Sequence, residues 1–333
     1  EFRRVLFRST PMIGHRGKDA SMLQKSISEK MQKLFYTNNT ILLSTSSGTG
    51  LMEGSIRSCT SKKAAVFSCG SFGDRWYKMA VANNVPADIF KVELGEATTP
   101  EMVDKVLSTG EYDLITVTHN ETSTGIRNPI EEIGEVVKKY EDVIYCVDTV
   151  SSAGGIKVEV DKIGIDICIT SVQKALGLPP GMSICTFSQK AIDRAKQVPF
   201  RGVYLDLLAM YEYLIKKNYQ YPSTPSLSHM FALDFQLDNI LDEGLDNRFN
   251  RHEDMANLVR NWAKKHFQIF TNENHLSNTL TVIENTQGIS VSNLNSKLQE
   301  RGFQIANGYG DLKEKTFRIS HMGDYTVEDV QEL

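Results

Sequence analysis

The 333-residue sequence predicts an α/β fold: a mainly parallel sheet in a large domain, followed by a small α+β domain. Three observations carry that expectation. Short β-branched runs alternate with longer amphipathic ones, polar or glycine-rich turns follow the β-branched runs, and the texture changes near Glu243. Such alternation argues for parallel strands covered by helices on both faces.

In chain order, ILLST (Ile41–Thr45) reads as a strand and EGSIRSC after it as helical. AAVFSC (Ala64–Cys69) precedes the helical RWYKMAVANN. DLITVTH (Asp113–His119) precedes PIEEIGEVVKKYE, where Ile130, Ile133, Val136 and Val137 share one helical face. VIYCVD (Val143–Asp148), IDICITS (Ile165–Ser171) and MSICTF (Met182–Phe187) complete the strands of the first domain, taken as residues 11–242. The second, 243–333, holds a long polar helix near Asn247–Phe267, TLTVIE (Thr279–Glu284), a helix near Val291–Arg301 and KTFRISH (Lys315–His321). There is no internal repeat or low-complexity segment. The first ten residues, EFRRVLFRST, are basic and lack a useful apolar stretch, so they make a poor secretion signal and read as a joining scar. YTVEDVQEL reads as the opening of a helix, so both ends are expected to be incomplete.

A hydrophobic share of 41% with 23% charged residues is the balance of a soluble globular protein. The net charge of −4 gives no support to a nucleic-acid or anionic-membrane partner. No apolar run approaches the roughly 20 residues needed to span a bilayer. Cys59, Cys69, Cys146, Cys168 and Cys185 are odd in number and widely spaced, so they read as reduced packing residues and a cytoplasmic location is expected. No His/Cys spacing resembles a metal site.

Ligands of such sheets collect beyond the carboxyl ends of the strands, and that is where the polar residues fall. Ser46-Ser47-Gly48-Thr49-Gly50 follows the first strand, His119 to Gly125 the third and Asp148-Thr149-Val150 the fourth. SSGTG lets backbone N–H groups approach an anion at a helix N-terminus, although it is neither a Walker loop nor a GxGxxG fingerprint. Asp148 can cap the next segment or face a ligand cation. Lys174, between two apolar strands, can snorkel to solvent. It can equally be desolvated, which lowers its pKa and makes it a usable amine nucleophile. A desolvated lysine, a carboxylate and a phosphate cradle together suit pyridoxal phosphate.

SSGTG, CGSFGDR, HNETSTG, VDTVSSAGG, SVQKALGLPPG and FRISHMGD stand in the order seen in class V aminotransferases, which are fold-type I pyridoxal-phosphate-dependent transferases. The chain resembles their alanine–glyoxylate/serine–pyruvate branch from Pro11 to its end. The resemblance implies that Lys174 carries the cofactor as a Schiff base, beside Gln173 as a phosphate ligand. It implies that Asp148 faces the pyridine nitrogen and that Val150 packs on the ring. Ser47, Gly48 and Thr49 match the phosphate-side turn, and Thr122 matches a hydroxyl near the ring oxygen. Phe72 falls where the family stacks an aromatic, tryptophan in its mammalian members. Tyr221 and Thr224 match residues that reach the neighbouring subunit's phosphate, which implies a homodimer with shared sites. Arg318 matches the arginine that binds the substrate carboxylate, a role suited to its planar fork.

The implied reaction is ping-pong transfer of an amino group from a small donor, alanine or serine, to glyoxylate or pyruvate. One carboxylate-binding arginine without an obvious second cation favours small donors. Aspartate or 2-aminoethylphosphonate as donor is the alternative. A cysteine desulfurase would need a reactive cysteine late in the chain, and all five cysteines precede Phe187. A cofactor-binding protein without turnover is opposed by the intact Lys174, Asp148 and Arg318. The family's PGP-containing segment, which usually precedes the GHR region, is absent from this sequence.

Overall fold

A computed structural model describes residues 11–333, and the reading of residues 1–10 as a scar lies outside them. The strands in chain order are β1 (Thr40–Ser44), β2 (Ala64–Ser68), β3 (Ala87–Lys91), β4 (Leu114–Thr118), β5 (Asn120–Glu121), β6 (Ile126–Arg127), β7 (Ile144–Asp148), β8 (Ile167–Ser171), β9 (Ser183–Phe187), β10 (Gln268–Ile269), β11 (Leu280–Glu284), β12 (Ala306–Asn307) and β13 (Thr316–Ser320). Seven form one sheet in the order β1-β9-β8-β7-β4-β2-β3. All its pairs are parallel except the two made by β9, which runs against both neighbours. A predominantly parallel sheet is what the alternation predicted.

Odd and even residues of each strand feed two different cores, because side chains alternate across the pleat. Ile41, Leu43, Ile115, Val117, Tyr145 and Val147 enter one core with Ile133 and Val137. Leu42, Val66, Leu114, Ile144 and Cys146 enter the other with Leu51, Ile56 and Trp76. With both faces covered, the strands read as continuous apolar runs.

The helices expected after the first three strands are present at Gly48–Cys59, Ser71–Ala82 and Ile130–Val137. Several elements carry no clear signal in the sequence: helices Lys18–Phe35, Pro100–Leu107, Gln189–Gln197, Leu207–Lys216 and Leu227–Glu243, and strand β3. That strand, ADIFK, lies at the sheet edge and is only half-buried, so it lacks the apolar run that marks its neighbours.

The helix Leu227–Glu243 ends at Gly244 (φ +84°), and a second long helix, Leu245–His266, begins there. Beyond it lies a four-stranded antiparallel sheet in the order β10-β11-β13-β12. Phe317 and Ile319 pack with Val259, Ala263 and Ile283 on one face. The opposite face brings Leu280, Val282 and Met322 against Ala175, the residue after Lys174. Among the described residues no helix is long and apolar enough to cross a membrane.

Candidate active site

The strand register brings the site together. Asp148 ends β7 and pairs with Ile169 of β8, so Ser171, two residues further, leaves the sheet on the same rim. Ser44 and Ser171 both pair with Ser183, the first residue of β9. The turn after β1 and the turn after β8 therefore flank one strand. Lys174 sits in a tight turn closed by Gly177 N–H donating to its carbonyl at 2.9 Å, and Leu178 N–H donating to Val172 O at 2.9 Å.

These turns enclose an inner chamber of about 150 Å³ lined by Ser47, Gly48, Thr49, Phe72, Thr122, Asp148, Val150, Gln173 and Lys174, all of them predicted. Met52, Arg75, Asn120 and Ser151 also line it and were missed. Thr122, Gln173 and Lys174 border an outer cleft of about 850 Å³ as well, and Arg318 lies in that cleft. The cleft thus opens directly off the chamber. Tyr221 and Thr224 do not line the chamber of their own chain. The buried Tyr221 instead stands behind the turn, its hydroxyl accepting from Thr45 N–H at 3.2 Å.

Asp148 is 4% exposed. Burial pushes its carboxyl up to about 6, against the Val150 N–H that donates to Oδ1 at 2.8 Å. Burial also lowers the Lys174 amine, and the positive charges of Arg318 and Arg75 act in the same direction while Asp148 opposes them. The Lys174 amine makes no hydrogen bond among the described residues. This is the desolvated lysine of the sequence reading.

The turn after β1 presents unused hydrogen-bond donors to the chamber. Ser47 caps the helix Gly48–Cys59 without a side-chain bond of its own, and Gly50 N–H donates to its carbonyl at 2.9 Å, which leaves the Ser47 hydroxyl and the Gly48 and Thr49 N–H groups available. Gly48 is required by packing, since a Cβ there would lie 2.6 Å from Val150 Cγ2. Ser171 Oγ donates to Gln173 Oε1 at 2.6 Å, leaving the Gln173 amide N–H groups free to donate. Arg75 donates to Thr49 Oγ1 at 3.0 Å, so the Thr49 hydroxyl hydrogen is also free to donate.

Phe72 is held by its backbone. Glu121, fully buried, accepts from Phe72 N–H and Gly73 N–H at 3.0 Å each, and from Ser123 N–H and Oγ at 3.1 and 2.5 Å. Burial raises the Glu121 carboxyl, and these four donors oppose the rise. The Arg75 guanidinium carbon lies 4.7 Å from the Phe72 ring centroid. Asn120 is buried with its Nδ2 bonded to Ser151 O, Ser277 and Thr279, while its Oδ1 has no partner. The signal for the missed Arg75 and Asn120 was their place inside CGSFGDR and HNETSTG.

Arg318, on β13, points away from the core that takes Phe317 and Ile319. Its Nε donates to Asn307 O at 3.0 Å and its Nη1 to Thr122 O at 3.4 Å. The outer N–H groups of the fork remain for a carboxylate. All five cysteines are free and buried, and burial raises their thiols, so none is poised as a nucleophile.

The family model described as "Aminotransferase class-V" matches residues 9–333. The chain belongs to the class V aminotransferases. An uncharacterised aminotransferase of Methanocaldococcus jannaschii is 42% identical over 94% of this chain and 82% of its own length. The L-aspartate–glyoxylate aminotransferase of Paracoccus denitrificans is 28% identical over 95% of this chain and 82% of its own length. Among solved structures, the alanine–glyoxylate aminotransferase of a Nostoc species superposes with a TM-score of 0.93 at 26% identity, covering 100% of this chain and 89% of that one. As a class V aminotransferase the chain is an enzyme with the large, mostly parallel sheet of fold-type I proteins.

Proposed function

We propose that this class V aminotransferase uses pyridoxal phosphate to move an amino group from alanine or serine to glyoxylate or pyruvate. One observation carries the reading: Lys174 and Asp148 border the same inner chamber, between an aromatic ring and a helix N-terminus. The chamber fits the cofactor on three counts. The buried Asp148 carboxyl makes no ion pair among the described residues, Asn120 Oδ1 lacks a donor, and the Gly48 cradle admits no Cβ. Asp148 would face the ring nitrogen, Phe72 and Val150 the ring, and Thr122 and Asn120 the ring oxygen. Ser47, Gly48, Thr49 and Gln173 would hold the phosphate. When bound, pyridoxal phosphate supplies the electron sink that lets an amino group pass from one carbon skeleton to another.

The chain's own groups do the rest. Arg318 grips the donor carboxylate through the free edge of its fork. That would place the donor α-carbon near Lys174, whose amine would take a proton from Cα and pass it to the bound cofactor, the same amine carrying a proton the opposite way, to Cα of the acceptor, in the second half-reaction. Burial lowers that amine, with Arg318 and Arg75 acting in the same direction, which favours its neutral form.

The donor is read as small because Arg318 and Lys174 are the cations bordering the cleft among the described residues, and Asp324 is an acid there. Aspartate as donor is the second reading, favoured by the Paracoccus relative, which works with the same acceptor. We also read residues 11–242 and 243–333 as two domains meeting at Gly244, with a cytoplasmic location suited to five free thiols. A homodimer with shared sites is supported by Phe200 and Val203, both almost fully exposed beside Tyr204, whose hydroxyl donates to Thr45 O at 3.3 Å. That patch adjoins the turn behind which Tyr221 stands.

The test is a donor panel. Chain loaded with pyridoxal phosphate is given glyoxylate with alanine, serine, aspartate or 2-aminoethylphosphonate, and glycine formation is measured. Alanine or serine should lead. Aspartate in first place moves the assignment to the second reading, and turnover retained in Lys174→Ala overturns both.

A further inference from the structure

Tyr309 touches both halves of the site. Its ring centroid lies 5.6 Å from that of Phe72, with the planes tilted by 45°, and 5.6 Å from the Arg318 guanidinium carbon. Phe72 borders the inner chamber, Arg318 the outer cleft and Lys174 both. A carboxylate held by Arg318 would therefore lie close to the Tyr309 ring, which packs against that guanidinium.

The loop that carries the ring is fixed. Asn307 Oδ1 accepts from Gly308 N–H and Glu314 N–H at 2.8 Å each, and Asn307 Nδ2 donates to Glu314 Oε1 at 2.6 Å. A Cβ on Gly308 would fall 1.9 Å from Leu312 O, so the backbone before the tyrosine has no room to be anything but glycine. Asn307 O is also the acceptor for Arg318 Nε. One residue thus anchors both the carboxylate-binding fork and the loop of the aromatic ring, and the spacing between them is set by backbone. Burial does not account for a large ring here, since Tyr309 is 38% exposed and its hydroxyl makes no hydrogen bond among the described residues.

We propose that Tyr309 is the residue that limits the donor side chain to small groups. The proposal rests on the transaminase reading above and gives its small-donor preference a steric cause: the ring fills the volume beside the donor α-carbon that a longer side chain would need. Each methylene that such a wall admits or refuses is worth roughly 10- to 200-fold in discrimination.

Holoprotein with the native residue, Tyr309→Ala and Tyr309→Phe should be compared on two scales. The first is kcat/KM for alanine, 2-aminobutyrate and norvaline with glyoxylate; the second is the calorimetric Kd for propionate and pentanoate. Tyr309→Ala should raise the norvaline-to-alanine ratio by roughly tenfold or more and shift carboxylate preference toward pentanoate. Tyr309→Phe should match the native protein on both scales, because the ring and not the hydroxyl sets the limit. Unchanged ratios in Tyr309→Ala overturn the proposal. If the native protein turns over none of these donors, the alanine-donor reading fails instead, and the carboxylate series alone decides for or against Tyr309.

Discussion

The two sheets contribute to one site in different ways. From the seven-stranded sheet, Asp148 and Lys174 leave adjacent parallel strands, and the anion turn leaves β1 across a single intervening strand. Their mutual placement follows from backbone register in a layer buried on both faces. From the four-stranded sheet comes Arg318, held by two carbonyls, together with a pinned loop bearing Tyr309. On the proposed roles, the groups that would meet at one atom share a sheet, whereas those that would choose the molecule sit on a separately built layer. Such a division lets the choosing layer vary while the chemistry stays fixed.

Substitutions on each side should separate these roles, beginning with the largest effect. Lys174→Ala or Lys174→Arg should reduce turnover on the order of 10⁴-fold, with the chain still folded by circular dichroism. Arg318→Ala should lower donor kcat/KM by about 10²-fold while cofactor affinity changes less than about twofold. An Arg318→Ala protein that loses cofactor as readily as donor would erase the distinction between the two layers.

Asp148→Asn sharpens the comparison through pH. Burial holds the Asp148 carboxyl at about 6, above an unfolded value near 3.9. Its contribution to the cofactor-free fold is therefore complete below about pH 4 and is lost as pH rises through about 6. The loss is on the order of 3 kcal/mol. Cofactor-free native protein should thus lose stability relative to Asp148→Asn between pH 4 and 7 in urea titrations, and bound cofactor should reverse that trend. A pH-independent difference would count against a buried, unpaired carboxyl. The smallest effect is expected from Phe72→Trp, which should tighten cofactor binding by roughly two- to tenfold through larger stacking area. Weaker binding would mean that Phe72 does not meet the ring.

The sequence made the rim of the large sheet readable because each β-branched run stops abruptly at a polar turn, as at VIYCVD and ICITS. It did not reveal that β7 and β8 are neighbours, since strand order is a property of the crossovers and not of alternation. That adjacency is what turns two separate residues, Asp148 and Lys174, into one chamber. Arg75 escaped notice because it lies one helical turn after Phe72, where a basic residue on an amphipathic helix reads as solvated. Tyr309 was hidden in ANGYGDL, a glycine-rich stretch that looks like any turn. The region 188–242 gave little because its helices Leu207–Lys216 and Leu227–Glu243 mix apolar and polar residues without a preceding strand signal. Tyr221 was singled out by resemblance, and its contact with Thr45 had no local signature at all.

The proposed site requires a covalent imine between the cofactor and one particular lysine. Treating the pyridoxal-phosphate-loaded chain with borohydride, then digesting it and locating the modified peptide by mass spectrometry, tests this most directly. A single reduced pyridoxyl phosphate on the peptide containing Lys174 is expected. Modification of a different lysine, or loss of the cofactor without any covalent mark, would contradict it.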